Sequence, residues 1–293
     1  MRKFEYKKTN AFSVGKSTGN PAACLYLKKG QQLSEEEMLS IAKEHKGFVS
    51  EVIYCIPLEN DVFRLRYYSS ECEVEFCGHG TIACIYELIK STDTLRGLPE
   101  ITLLINKGEL IVYNELKELD AVFITAPTPL DLIVPVEQNA ISNILQISPQ
   151  TIDSNYCIDF IDAGLRTLII PVNGLNNLLG INPNETALKD FCQANNIDII
   201  LIFTLDVANK ENKARSRVFA PKFGYLEDPA TGSGNSAFGY FMLKHNLWDG
   251  TPISIEQNGL IDNCNIVKLR TIDNKVMFGG NSILKIEGNY YLE

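Results

Sequence analysis

The chain has 293 residues, 36 acidic and 27 basic, with a net charge of −9 and 45% hydrophobic content. That length suggests two domains with a sizeable core in each, and the acidic balance argues against a broad nucleic-acid surface. No apolar run approaches the roughly 18 residues of a membrane helix, and the start, MRKFEYKKTN, lacks the apolar stretch of a signal peptide.

In chain order, short β-rich runs are expected at Glu51–Ile56, Val62–Tyr67, Ile101–Ile105, Glu109–Tyr113, Thr167–Val172, Ile197–Phe203, Arg215–Phe219 and Asn265–Arg270. Helices punctuate them. Ser34 and Glu37 make a capping box that opens a helix reaching about His45. A second is expected from about Asn184 to Asn195, and two more, Thr81–Lys90 and Asn235–His245, follow glycine-rich turns.

Those last two belong to an internal echo. Around residue 64 the chain reads FRLRYYSSECEVEFCGHGTIACIYEL, and around residue 214 ARSRVFAPKFGYLEDPATGSGNSAFGYFML. Each copy has Arg-x-aromatic on a strand, an acidic residue, a Gly-x-Gly turn and an apolar helix; Gly78 and Gly232 are 154 residues apart. The pattern suggests two similar domains, with the proline-containing segment ITAPTPLDL (124–132) as the crossing. The expected boundaries are 1–126, completed by 281–293, and 127–280.

A glycine turn opening a helix offers free N–H groups and a positive dipole end to an anion. Gly78 and Gly80, and Gly232 with Ser233, are therefore candidate carboxylate-binding residues; ordinary turns and caps read equally from the pattern. Glu51 is a lone acid at the head of an apolar run, where burial would bring its pKa toward a useful range for proton transfer. A solvated strand-end acid is the alternative. His79 and Asp228 flank the two turns and can hydrogen-bond a substrate, although a lone histidine and an Asp before a turn proline are also common structural choices. Cys77, at a helix N-terminus, is an alternative base or a small core residue.

The eight cysteines lie mostly in apolar runs and form no C-x-x-C pair, so reduced thiols in the cytoplasm are expected. The three histidines, His45, His79 and His245, are too scattered to suggest a metal site. Gly15-Lys16-Ser17-Thr18 imitates the end of a P-loop, but Asn10 stands where that motif needs glycine, which excludes it.

Gly19-Asn20-Pro21 before an apolar strand, Ser50-Glu51, Cys77-Gly78-His79-Gly80-Thr81 and Glu227-Asp228-Pro229-Ala230-Thr231-Gly232-Ser233 together resemble the PhzF family of phenazine-biosynthesis proteins, which share the diaminopimelate epimerase fold. The resemblance implies an α/β (α+β) fold of two pseudo-symmetric domains, each a curled, mostly antiparallel sheet around a central helix, with an active site in the cleft between them. It implies a cofactor-independent isomerase acting on a small carboxylate, with no metal. The residue matching Glu51 carries the proton, and those matching His79, Asp228, Gly232 and Ser233 contact substrate; Asn20, Gly78 and Gly80 are expected to bind it as well. Cys77 and Gly80 depart from the phenazine pattern toward the proline racemase relatives, but Thr231 stands where those enzymes have a second thiol. A hydroxyl cannot replace a thiolate, which disfavours two-thiol racemisation. A one-base epimerase or dehydratase using Cys77, and a binding protein without turnover, remain alternatives. A homodimer is compatible with the sequence; nucleic acid and membrane are not expected partners.

Overall fold

A computed structural model describes residues 1–293. It divides into two compact units, one of Met1–Ser13, Thr18–Ile124 and Gly279–Glu293, the other of Val14–Ser17 and Thr125–Phe278.

The first unit opens with β1 (Arg2–Ala11), which pairs antiparallel with both β2 (Asn20–Tyr26) and the C-terminal strand Ser282–Leu292. Helix α1 (Glu35–Glu44) follows, closed at its start by the reciprocal Ser34–Glu37 capping box that the sequence announces. Next, β3 (Val52–Pro57) lies parallel to β2 and antiparallel to β4 (Phe63–Tyr68), and β4 pairs with the short β5 (Glu73–Val74). Helix α2 (Gly78–Ser91) and the single turn α3 (Asp93–Arg96) lead to β6 (Glu100–Ile105), parallel to β4 and antiparallel to β7 (Gly108–Glu115). A further turn, α4 (Leu116–Leu119), precedes β8 (Ala121–Thr125).

Helix α2 buries Ile82, Ala83, Cys84, Ile85, Tyr86, Glu87 and Ile89, thus residues on every side. An all-round apolar helix must be enclosed, and β1, β2, β3 and the C-terminal strand enclose it. Cys24 on β2, Cys55 on β3 and Cys84 on α2 meet in that core; burial drives Cys24 up, and the bond to Cys84 followed by burial drives Cys55 up. All eight cysteines are free.

The second unit begins with β9 (Leu130–Leu132), α5 (Gln138–Leu145) and β10 (Asp159–Asp162), which pairs antiparallel with β9 and with β11 (Arg166–Pro171). After α6 (Leu175–Gly180) and α7 (Glu185–Ala194), β12 (Ile199–Thr204) lies parallel to β11 and antiparallel to β13 (Ala214–Phe219). Strand β13 pairs with β14 (Glu227–Asp228); helix α8 (Gly232–Lys244) follows, then β15 (Ile253–Gln257), parallel to β13 and antiparallel to β16 (Asn265–Ile272). The left-handed pair Asp273-Asn274 turns the chain into β17 (Lys275–Gly280).

The sequence echo is therefore an echo of topology. In each unit a parallel strand pair continues into an antiparallel neighbour and a two-residue strand. A largely buried helix and a parallel return strand complete both copies. Helix α8 buries ten of its thirteen residues, Gly232 and Gly234–Met242.

The core of the second unit is pinned at its surface by Asp198. Its carboxylate accepts from Arg166 Nε (3.0 Å) and Nη2 (2.7 Å), from the Arg166 backbone N–H (3.0 Å), and from Lys222 Nζ (2.8 Å). Burial alone would raise its pKa; the bonds from Arg166 and Lys222 outweigh it and hold the group at about 2. A folded pKa below the unfolded one, about 3.9, gives stability that is present above pH 4 and lost as pH falls toward 2. Asp198→Asn should cost about 2 kcal/mol at neutral pH and flatten the acid limb of stability against pH. An unchanged acid limb in urea titrations would refute the role.

Candidate active site

The first unit gathers three of the residues singled out by sequence. Glu51 immediately precedes β3, and its backbone carbonyl accepts from Ala23 N–H (3.4 Å), which fixes the head of the parallel β2–β3 pair. Cys77 is the N-cap of α2, in extended conformation (φ −132°, ψ 108°), and His79 lies in the helix's first turn. The Cys77 thiol donates to Glu51 Oε2 at 3.6 Å; its Sγ lies 3.4 Å from His79 Nδ1 and accepts from Gly80 N–H at 3.3 Å. His79 Nε2 is 3.4 Å from the same Glu51 oxygen. The side chains of Glu51 and His79 are only 19% and 13% exposed, so these are largely desolvated polar contacts.

Burial pushes the His79 imidazole down to about 4, opposed by the hydrogen bond from the ring to the Pro21 carbonyl. At neutral pH the ring is uncharged, and it lies beside Glu51 as a neutral ring rather than as a cation. Thr81 locks the cap from beneath: its hydroxyl donates to the Cys77 carbonyl (2.8 Å) and contacts Tyr67 Oη (2.8 Å). Asn20 opens β2 and is buried. Before it, Gly19 has φ +66°, and an added Cβ would collide with Ser13 Oγ and stand 2.6 Å from the Ala11 carbonyl. This position requires glycine twice over.

The glycines of the helix starts differ from the expectation. The helices begin at Gly78 and Gly232, three residues before the expected Thr81 and Asn235, so the Gly-x-Gly segments are first helical turns rather than turns ahead of helices. None of Gly78, Gly80, Gly232 and Gly234 has positive φ. The reason for glycine is clearance. A Cβ on Gly80 would lie 2.7 Å from Ile53 Cδ1 and 3.0 Å from Cys77 Sγ, and one on Gly232 would enter the Phe278 ring. Gly232→Ala should therefore destabilise by about 1–3 kcal/mol through overpacking. A urea midpoint equal to wild type would show that the ring can step aside.

In the second unit, Asp228 ends β14, Gly232 starts α8, and Ser233 is its second residue. Thr231, the N-cap, repeats the backbone of Cys77 (φ −119°, ψ 110°), but its hydroxyl donates to Asp228 Oδ2. Gln257, which the sequence reading did not single out, organises this corner. It accepts from Thr231 N–H (2.9 Å) and Asn235 Nδ2 (2.7 Å), and donates to the Asp228 carbonyl (2.8 Å) and Thr231 Oγ1 (3.1 Å). The available signal was a polar residue ending an apolar strand run.

The Glu51, Cys77 and His79 ligand-type atoms all lie within 4.8 Å of one another. The sequence hides this cluster because Glu51 is 26 residues from Cys77.

The enclosed helices and the echoed sheet plan define a two-unit α/β protein with a carboxylate–thiol–imidazole cluster at the start of one enclosed helix. The chain belongs to the phenazine biosynthesis-like (PhzC-PhzF) family, whose pattern matches residues 9–288. The uncharacterized isomerase YddE of Escherichia coli K12 is 24% identical over 304 residues, covering 97% of each chain. Antisense-enhancing sequence 1 of Schizosaccharomyces pombe is 27% identical, over 87% of this chain and 88% of its own. Among solved structures, the PhzF-family protein of Bacillus anthracis superposes over the whole of both chains with a TM-score of 0.85 at 21% identity. A probable proline racemase from Agrobacterium radiobacter shares the fold at a TM-score of 0.59 and 12% identity. No helix of the chain is long and apolar enough to cross a membrane.

Proposed function

We propose that the chain is a cofactor-independent isomerase that moves a proton on a small carboxylate substrate, with Glu51 as the acid/base. The observation that carries this is the desolvated Glu51 carboxylate at the first turn of α2, between a thiol and a neutral imidazole. Glu51 takes a proton from one carbon of the substrate and returns it to another, so one group suffices for a 1,3-shift and no net proton is exchanged. The start of α2 at Gly78 suits the substrate carboxylate, Gly80 N–H being donated to Cys77 Sγ, and neutral His79 orients the substrate by hydrogen bonding. The eight free thiols suit a reducing cytoplasm.

A second reading makes Cys77 the base of an epimerase or dehydratase. It is favoured by the Gly80 N–H that its sulfur accepts at a helix start. Against a two-base version stands Thr231, whose hydroxyl is engaged by Asp228. Incubating the protein in D₂O with a panel of small unsaturated, amino and hydroxy acids tests both readings. Mass gain in one substrate class is the expected result; no incorporation into any of them would favour a binding protein instead.

A further inference from the structure

We propose that Glu51, Cys77 and His79 form a zinc-binding site in the first unit. Zinc takes thiolate at about 2.3 Å and imidazole or carboxylate at about 2.0–2.2 Å, in tetrahedral sites. Donors at those radii stand about 3.3–3.6 Å from one another. Cys77 Sγ and Glu51 Oε2 are 3.6 Å apart, and Glu51 Oε2 and His79 Nε2 are 3.4 Å apart. The third edge, Sγ to Nε2, is 3.9 Å, so closing the triangle needs a shift of a few tenths of an ångström. The donor set is mixed thiolate, imidazole and carboxylate, which suits zinc better than the all-oxygen preference of magnesium or calcium.

Two outer contacts orient the donors as they are oriented in metal sites. One ring N–H of His79 is committed to the Pro21 carbonyl, which directs the lone pair of the other nitrogen. Gly80 N–H points at the sulfur and supports it as a thiolate. Within the cluster the Cys77 thiol proton is directed at Glu51 Oε2. Binding replaces that proton with the ion: the S–H bond breaks, a Zn–S bond forms, and the proton passes to solvent. Three protein donors leave the fourth position open.

The site shares Glu51 with the acid/base reading. An ion on Glu51 Oε2 competes with the proton for the same oxygen, so zinc would act as an inhibitor of proton transfer by Glu51.

Cobalt(II) is the probe, since it takes zinc sites and gives a thiolate-to-metal absorption in the near ultraviolet. The intact protein, pre-treated with chelator and reductant, should bind one Co²⁺ per chain with that absorption and lose it on adding Zn²⁺. Cys77→Ala should abolish the absorption, and His79→Gln should retain it while weakening affinity at least about 100-fold. Absorption that survives in Cys77→Ala would place the ion on another thiol and overturn the proposal. So would no absorption in wild type at millimolar Co²⁺, or equal affinity in wild type and His79→Gln. If Cys77→Ala fails to fold, the His79→Gln comparison decides alone.

Discussion

Glu51→Gln lowers solvent-deuterium incorporation into the substrate by about 10²- to 10⁴-fold, the usual contribution of one positioned acid/base. Glutamine keeps the shape and an acceptor oxygen for the Cys77 thiol while removing the titrating group, so the fold around β3 and α2 should be undisturbed. Cys77→Ala is expected to cost less. It removes a cap contact to Gly80 N–H and a donor to Glu51, both of which support the site without carrying the proton. The comparison is made under single-turnover conditions with melting curves for both variants. If Cys77→Ala is inactive and Glu51→Gln retains exchange, the thiol is the base and the chemistry is that of an epimerase or dehydratase.

Arg215→Met should destabilise the protein by about 3–5 kcal/mol, the cost of stripping one partner from a buried ion pair. The Arg215 and Glu256 side chains are both fully buried, with Nη1 3.1 Å from Glu256 Oε2. Arg215 also donates to the carbonyls of Asn258 (2.8 Å) and Leu260 (2.6 Å) and to Asn258 Oδ1 (3.0 Å). Methionine fills the space but leaves those acceptors without their donor. Glu256 is held by others too: the backbone N–H groups of Ala208 (3.0 Å) and Asn209 (2.7 Å), and Asn212 Nδ2 (2.8 Å). Burial would raise its pKa, and these bonds together lower it. The loss should therefore appear as global destabilisation in urea rather than as protonation of Glu256. A change below about 1 kcal/mol would mean that water replaces the guanidinium.

Local signals were the legible ones. Ser34 with Glu37 caps the helix it was expected to cap, and Asn184, near which a helix start was expected, is that helix's N-cap, because a cap is a contact between residues three apart. The strand runs were read within a residue or two of their ends, since alternation and β-branched content act locally. The starts of α2 and α8 were misread because glycine is a poor helix former. Packing against Ile53 and Phe278, which no local signal contains, decides those turns. Glu51 and His79 could be named as candidates, but their meeting at 3.4 Å depends on β3 lying beside the start of α2. Gln257 and the Arg215–Glu256 pair were not legible, because their partners lie 22 to 48 residues away.

The repeated strand–helix plan has a consequence for symmetry. In a two-fold homodimer every substitution is made twice, so paired positions must stay chemically identical. Here both copies lie on one polypeptide, and equivalent caps carry different residues, a thiol at Cys77 and a hydroxyl at Thr231. The strand–helix plan is kept in both copies while the chemistry at the cap differs. Each cap can be altered alone, which leaves one copy free to specialise while the other holds its geometry.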